Sequence, residues 1–197
     1  MAATFVIQEG NGSGPTWTDL TGITGRYCTE DSYNPGTSNP CKVPSTGYYY
    51  SFWKSHRGKI TGTYSSVRNI YWYCDGGVAA GWGLGTGGQL QIGILASPTT
   101  GNGTSVYQKA DGTVGTTGIA IDDGSLGHAS YNSGGNGVAN ADTYNSGNPL
   151  LIDTTQYTYE VGVTKYTKIW VTQLKIAPTA TQGDKSARTF VVMYDEY

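Results

Sequence analysis

The chain has 197 residues, enough for one β-sandwich or barrel with long loops and no call for a second domain. Only 13% of it is charged, against ~25% in an average globular protein, and the net charge is −2. That balance argues against nucleic acid as a partner, since phosphate neutralisation needs a basic face. No run approaches the ~18 apolar residues of a membrane span. Gly is abundant at 30, and Tyr at 16 far outnumbers Phe at 3. Such a surface takes its polarity from hydroxyls and amides and puts little charge repulsion in the way of self-association.

In chain order, Thr4 to Gln8 alternates and predicts a short first strand. The start Met1-Ala2-Ala3-Thr4-Phe5 has no basic residue and no long apolar run, so export by an ordinary signal peptide is not expected. Glu9 to Pro15 reads as loop, and Trp17 to Arg26 fits no single pattern. Cys28 and Cys41 then bracket a turn-dense stretch holding Asn34-Pro35-Gly36 and Asn39-Pro40. Two readings stand: a disulfide between Cys28 and Cys41 stapling that loop, or three reduced structural thiols with Cys74 among them. Neither the cysteine spacing nor the two histidines, His56 and His128, suits zinc, so no metal is expected.

Tyr48 to Lys54 is the first strong strand signal, with Tyr48, Tyr50 and Phe52 on one face and Tyr49 and Trp53 on the other. Aromatic residues on both faces require cover on both, from the chain's own loops or from another chain. Gly58 to Thr63 continues as strand, and the cations Lys54, His56, Arg57 and Lys59 are expected on a solvated strand face. Val67 to Cys74 predicts another strand, closed by a turn at Asp75-Gly76-Gly77. Gln89 to Leu95 predicts one more, with Leu90, Ile92 and Ile94 on one side.

The segment at about 97–149 differs. It carries Gly101-Asn102-Gly103, Asp122-Asp123-Gly124 and the run Asn132 to Gly137, with short apolar pieces at Val106-Tyr107 and Ile119-Ala120-Ile121. It reads as a loop-rich excursion that carries contacts, with a small hairpin inside it. Strand patterning returns at Leu150 to Asp153 and Tyr157 to Val163. In Lys168 to Ala177, Trp170, Thr172, Leu174 and Ile176 share one face and Ile169, Val171 and Gln173 the other. In the last run Phe190, Val192 and Tyr194 oppose Val191 and Met193. These two runs read as a closing strand pair joined by a turn containing Pro178 and Gly183. No window holds a 3.6-residue period, so helix should be scarce. The fold class expected is all-β: an antiparallel β-sandwich, jelly-roll or Ig-like, in a single domain over 1–197 with the 97–149 excursion.

Catalytic signatures are weak. Gly83-Leu84-Gly85-Thr86-Gly87-Gly88 matches GxGxxG, but a strand follows where a nucleotide-binding unit needs a helix. Ser125 with His128 and Asp122 or Asp123 would form a triad on a Gly-rich loop, a poor mount for an oriented base. Asp111, Asp122, Asp123 and Asp142 lack the spacing of a calcium loop. Asn11-Gly12-Ser13 and Asn102-Gly103-Thr104 are glycosylation sequons, meaningful only on a secretory route. No catalytic residue, cofactor or metal is expected, nor a cleft where ionisable side chains converge. The residues expected at an interface are Tyr49, Trp53, Trp82, Tyr107 and Tyr131.

The stretch Tyr64-Ser65-Ser66-Val67-Arg68-Asn69-Ile70-Tyr71-Trp72-Tyr73, the ending Val171-Thr172-Gln173-Leu174 through Thr179-Ala180-Thr181-Gln182-Gly183-Asp184, and Thr189-Phe190 to Met193-Tyr194-Asp195-Glu196 resemble tailed-phage virion structural proteins of the head-associated, decoration or cement type. The likeness covers roughly residues 46–95 and 157–196. It implies a β-sandwich that binds capsid or other virion structural proteins as a homo-oligomer, assembles in a host cytoplasm and resides in the virion. Two other readings are retained. One is an extracellular filament built by strand donation, with Ala2 to Gln8 as donor. The other is a carbohydrate-binding module stacking sugars on Trp82, Tyr107 or Tyr131.

Overall fold

The computed structural model describes residues 2–75, 82–95, 106–132 and 137–197. The turn glycines Gly76-Gly77, the Gly101-Asn102-Gly103 turn with its sequon, and Ser133 to Asn136 lie outside the described residues. The strands are β1 (Ala3–Asn11), β2 (Thr16–Asp19), β3 (Tyr49–Tyr50), β4 (Lys54–Gly62), β5 (Ser66–Asp75), β6 (Gln89–Ile94), β7 (Gly112–Thr113), β8 (Thr117–Gly118), β9 (Ala139–Asn140), β10 (Leu150–Asp153), β11 (Tyr157–Thr158), β12 (Lys165–Tyr166), β13 (Trp170–Ile176) and β14 (Thr189–Glu196). Helix among the described residues is one α-turn, α1 (Ala129–Asn132), and one 3-10 turn at Ala141–Thr143.

Two antiparallel sheets face each other. Sheet one runs β2-β1-β4-β13-β6-β9, with β12 beside β4 and β3 beside β13. In sheet two β5 is central, bonded to β14 along one side and to β10 and β11 along the other. The chain is therefore all-β and sandwich-like. β13 and β14 do not pair as a hairpin, contrary to expectation: β13 lies inside sheet one and β14 at the edge of sheet two. The twelve-residue stretch 177–188 carries the chain from one sheet to the other.

β13 alternates as its sequence dictates. Trp170, Leu174 and Ile176 pack inward with Leu90 and Ile92 of β6, Trp72 and Cys74 of β5, and Ile152 of β10. Fully burying each such aliphatic chain contributes roughly 1.5–3 kcal/mol before entropy is counted. Ile169 and Val171 face the opposite way, into a second cluster with Phe52, Trp53, Leu95, Ala110, Ile121 and Tyr131. The 106–132 excursion supplies that outer cover, including the expected small hairpin β7–β8.

Gln173 fastens the cover to the sheet. It is fully buried, its Nε2 donates to the carbonyls of Ser51 (2.7 Å) and Ile119 (2.8 Å), and its Oε1 accepts from the amide of Ile121 (2.9 Å). Gly93 of β6 makes room for the same cover, because a Cβ there would stand 2.5 Å from the Tyr131 ring.

The aromatic run Tyr48 to Trp53 does not keep its predicted alternation. Tyr50 pairs with Lys175 and Lys54 with Thr172, so four steps along this chain oppose three along β13. The extra residue is a bulge, and it lets Phe52 and Trp53, neighbours in sequence, enter the same outer cluster. Phe52 and Trp53 are covered by the chain itself, while Tyr48 stays exposed.

Replacing Gln173 by Leu should leave the Ser51 and Ile119 carbonyls and the Ile121 amide without that partner. Urea denaturation should show a loss of about 2–4 kcal/mol, and limited proteolysis should move first to 106–132.

Candidate functional site

β5 presents two unlike faces. Ile70, Trp72 and Cys74 point into the sandwich and are at most 1% exposed. Tyr71 and Tyr73 point outward. On either side of Tyr71 stand its cross-strand partners Leu151 and Met193, and Val191 stands beside Tyr73. Leu151 is 40% and Met193 37% exposed, and none of these five side chains belongs to the three buried clusters. At one end the apolar row meets polar groups. Asn69 Nδ2 donates to Asp195 Oδ2 (2.7 Å), and Arg68 donates to the Tyr197 hydroxyl (2.7 Å) with its guanidinium over the Tyr197 ring. Asn69 has φ of 53° where β5 carries one more residue than β14 opposite it, between the Met193–Tyr71 and Asp195–Arg68 pairs. Sheet one has an excursion over its outer face; sheet two carries an apolar centre with a polar end.

Between the sheets, beside β1 and β14, opens a cleft of about 1260 Å3. The segments 20–27 and 40–43 line one wall and 180–190 the other. The partly buried Ile7, Trp82, Leu84 and Phe190 contribute apolar surface, and the buried Trp72, Trp170, Leu174 and Ile176 close it off at the core. Charged groups line it as well. Lys54 Nζ donates to Glu9 Oε1 (2.9 Å) and to the Ser32 carbonyl (2.9 Å), and His56 Nε2 lies 3.7 Å from Glu9 Oε2. The His56 ring stacks on Trp170 at 5.8 Å. Burial, aided by Lys54, pushes the His56 pKa down to about 3, so the ring is neutral.

Two expectations are corrected here. Lys54, His56 and Arg57 are no solvated strand face: they are 6%, 4% and 5% exposed. Lys54 and His56 point between the sheets. Arg57, on the other side of β4, lies between the Trp17 and Tyr166 rings, 4.0 and 3.8 Å from their centroids. A cleft gathering ionisable side chains does exist. Of the two readings of the cysteines, the structure has the thiols: Cys28, Cys41 and Cys74 are free. Backbone bonds close the Cys28–Cys41 loop instead, through a bridge of Cys28 with Pro40 and the Thr29 amide donating to the Asn39 carbonyl (2.8 Å). Burial raises all three thiols, Cys41 to about 12 and Cys74 to about 11.

The expected interface residues scatter. Trp53 and Tyr131 are 2% and 7% exposed inside the outer cluster, which corrects their assignment to a surface. Trp53 Nε1 donates to the Gln108 carbonyl (3.1 Å). Tyr107 packs edge-on against Trp17, its hydroxyl donating to the Gly10 carbonyl (3.2 Å). Tyr49 is half-buried on β3. Trp82 stands in the cleft wall, edge-on to Tyr27, with Nε1 donating to the Ser186 carbonyl (2.9 Å). Sequence reasoning missed Tyr71, Tyr73 and Leu151 as a group, although the alternation of β5, aromatic on both faces, was the available signal.

The other sequence motifs have local structural roles. In the glycine loop the Gly88 amide donates to the Gly85 carbonyl, and Thr86 and Thr181 bond it to the 177–181 turn; β6 follows it, not a helix. Asp123 Oδ1 accepts from the amides of Ser125 and Leu126, while His128 lies buried against Trp53 and Tyr131. Asp142 pairs with Arg188. No metal-ligand cluster occurs among the described residues. Comparison of the chain with protein-family models, curated proteins and solved structures finds no match.

His56 and His128 are held near 3 and 4 in the fold, against about 6.5 when exposed. The unfolded chain therefore binds protons that the folded one refuses. Their stabilising contribution is whole above pH 6.5 and declines as pH falls towards 4. Melting temperatures recorded from pH 7.5 to 4.5 should fall, and the slope should flatten in His56→Gln and His128→Gln.

Proposed function

We propose that this chain is a virion structural protein of the decoration or cement type, acting by covering joints between subunits of an assembled shell. The observation that carries the reading is the outer face of sheet two, where Leu151, Tyr71 and Met193 form one row and Tyr73 and Val191 the next. An apolar patch with polar groups at its end is the usual anatomy of a protein contact. A charge content of 13% leaves little repulsion to oppose it. A protein that binds only the assembled shell stabilises it by mass action, with no chemistry required. In this reading Glu9, Lys54 and His56 take no part in a reaction: the carboxylate and ammonium neutralise each other, and the imidazole is uncharged.

The filament reading has one observation in its favour: among the described residues β14 is bonded to β5 alone, leaving a strand edge of eight residues for a donated strand. The sequence-based donor is occupied, however, because β1 is bonded to β2 and β4 within its own chain. Fibres formed by the purified chain would favour that reading over decoration.

Tyr71→Arg and Met193→Asp place charge in the patch without touching the core, so the melting temperature should stay within a few degrees. Co-sedimentation with the native shell should drop at least about tenfold, as expected when a charge is buried at a contact. Unchanged occupancy, or an image of the particle with this face in solvent, defeats the proposal.

A further inference from the structure

The cleft between the sheets is cationic in an acidic protein. Among the described residues its lining holds five cations, Arg26, Lys42, Lys54, Lys185 and Arg188, against two acids, Glu9 and Asp184. The whole chain has 12 cations and 14 acids, so over a third of its positive charge is gathered at one opening. Glu9 neutralises Lys54 and Asp142 neutralises Arg188, both deep in the fold. The rim cations are held differently. Arg26 donates to the Gly36 carbonyl (3.0 Å), and Lys185 Nζ donates to the carbonyl and hydroxyl of Thr181 (both 2.7 Å). Those partners orient a cation without cancelling its charge. None of the ion pairs among the described residues engages Arg26, Lys42 or Lys185.

Behind the rim the lining is aromatic and aliphatic, with the partly buried Ile7, Tyr27, Trp82, Leu84, Ala180 and Phe190 in front of the packed core. Two packed sheets normally interdigitate side chains across a gap of ~10 Å. They do so here in the core around Trp72 and Trp170, and beside that core an opening of about 1260 Å3 remains, more than the ~300–1,000 Å3 of an ordinary small-molecule site. Cationic rim and apolar interior ask for opposite things at the two ends of one occupant. We infer that the cleft is a binding site for an anionic amphiphile, a carboxylate at the Arg26, Lys42 and Lys185 rim with an apolar body lying against Ile7, Trp82, Leu84 and Phe190 beside the packed core. Nothing in the decoration reading requires this site, and it stands on different residues.

The test uses the intact chain and dodecanoate below its micellar concentration. Intrinsic tryptophan fluorescence is the readout, since the partly buried Trp82 stands in the cleft wall. Circular dichroism is recorded throughout to show that the fold persists. Saturable one-to-one binding is expected, with dodecanol bound at least about tenfold more weakly and the difference shrinking in high salt. Lys42→Glu with Lys185→Glu, both exposed, should weaken dodecanoate about tenfold and leave dodecanol unchanged. Ala180→Trp, filling the lumen from a half-buried wall position, should abolish both. No saturable binding, equal binding of acid and alcohol, or indifference to the rim reversals overturns the inference. So does a loss caused by Tyr71→Arg but not by Ala180→Trp, which would move the site to the outer face of sheet two. If shell binding fails while dodecanoate binding holds, only the decoration reading falls.

Discussion

β13 is covered on both faces, and the rest of the molecule is arranged to meet that requirement. A strand with Trp170, Leu174 and Ile176 on one side and Ile169 and Val171 on the other cannot face water on either. Sheet two meets the first need and the 106–132 excursion the second. Gln173 is the one polar side chain on the outer side of β13 that turns this contact into a fixed joint. Its three hydrogen bonds tie the Ser51 and Ile119 carbonyls and the Ile121 amide to the strand. A buried amide is tolerable only when so satisfied, and once satisfied it fixes one registry of cover on sheet.

The same requirement makes the two outer surfaces unlike. Sheet one has spent its apolar outer face inside the chain, while sheet two keeps Tyr71, Tyr73, Leu151, Val191 and Met193 at its own surface. Trp53 and Tyr131 belong to the first surface and Leu151 to the second. The difference between them lies in what covers each residue, since their residue types are equally suited to contact. The cleft beside β1 and β14 adds a third environment, in which Lys54, Glu9 and His56 are held between the sheets next to Trp170 and the rim is cationic.

Much of the fold was legible in the residues. β1, β5, β6 and β13 fall where alternation placed them, helix among the described residues is confined to single turns, and the hairpin inside the excursion is present. The interior sides of β13 and β14 follow directly from their patterns, because a period of two assigns every residue of a strand to one of two faces. The failures share a cause. The bulge at 51–53 shifts the register by one residue, and no composition signal marked it. Lys54, His56 and Arg57 read as a solvated face because charge is normally exposed; each is buried because a partner remote in sequence receives it, Glu9 or Gln8 on β1 and Trp170 on β13.

The amino-acid sequence by itself determined the positions of β1, β5, β6 and β13, which residues share a side of β13 and β14, and that the chain is an all-β sandwich in character. Only the tertiary structure decided which apolar face is covered and which is left at the surface, and that an opening with a positive rim lies between the sheets. Alternation is a property of neighbours along the chain, whereas cover is supplied from far away. The Trp53 indole is satisfied by Gln108 and the Ile121 amide by Gln173, 55 and 52 positions distant. A strand pattern states that a face must be hidden; it carries no information about what hides it.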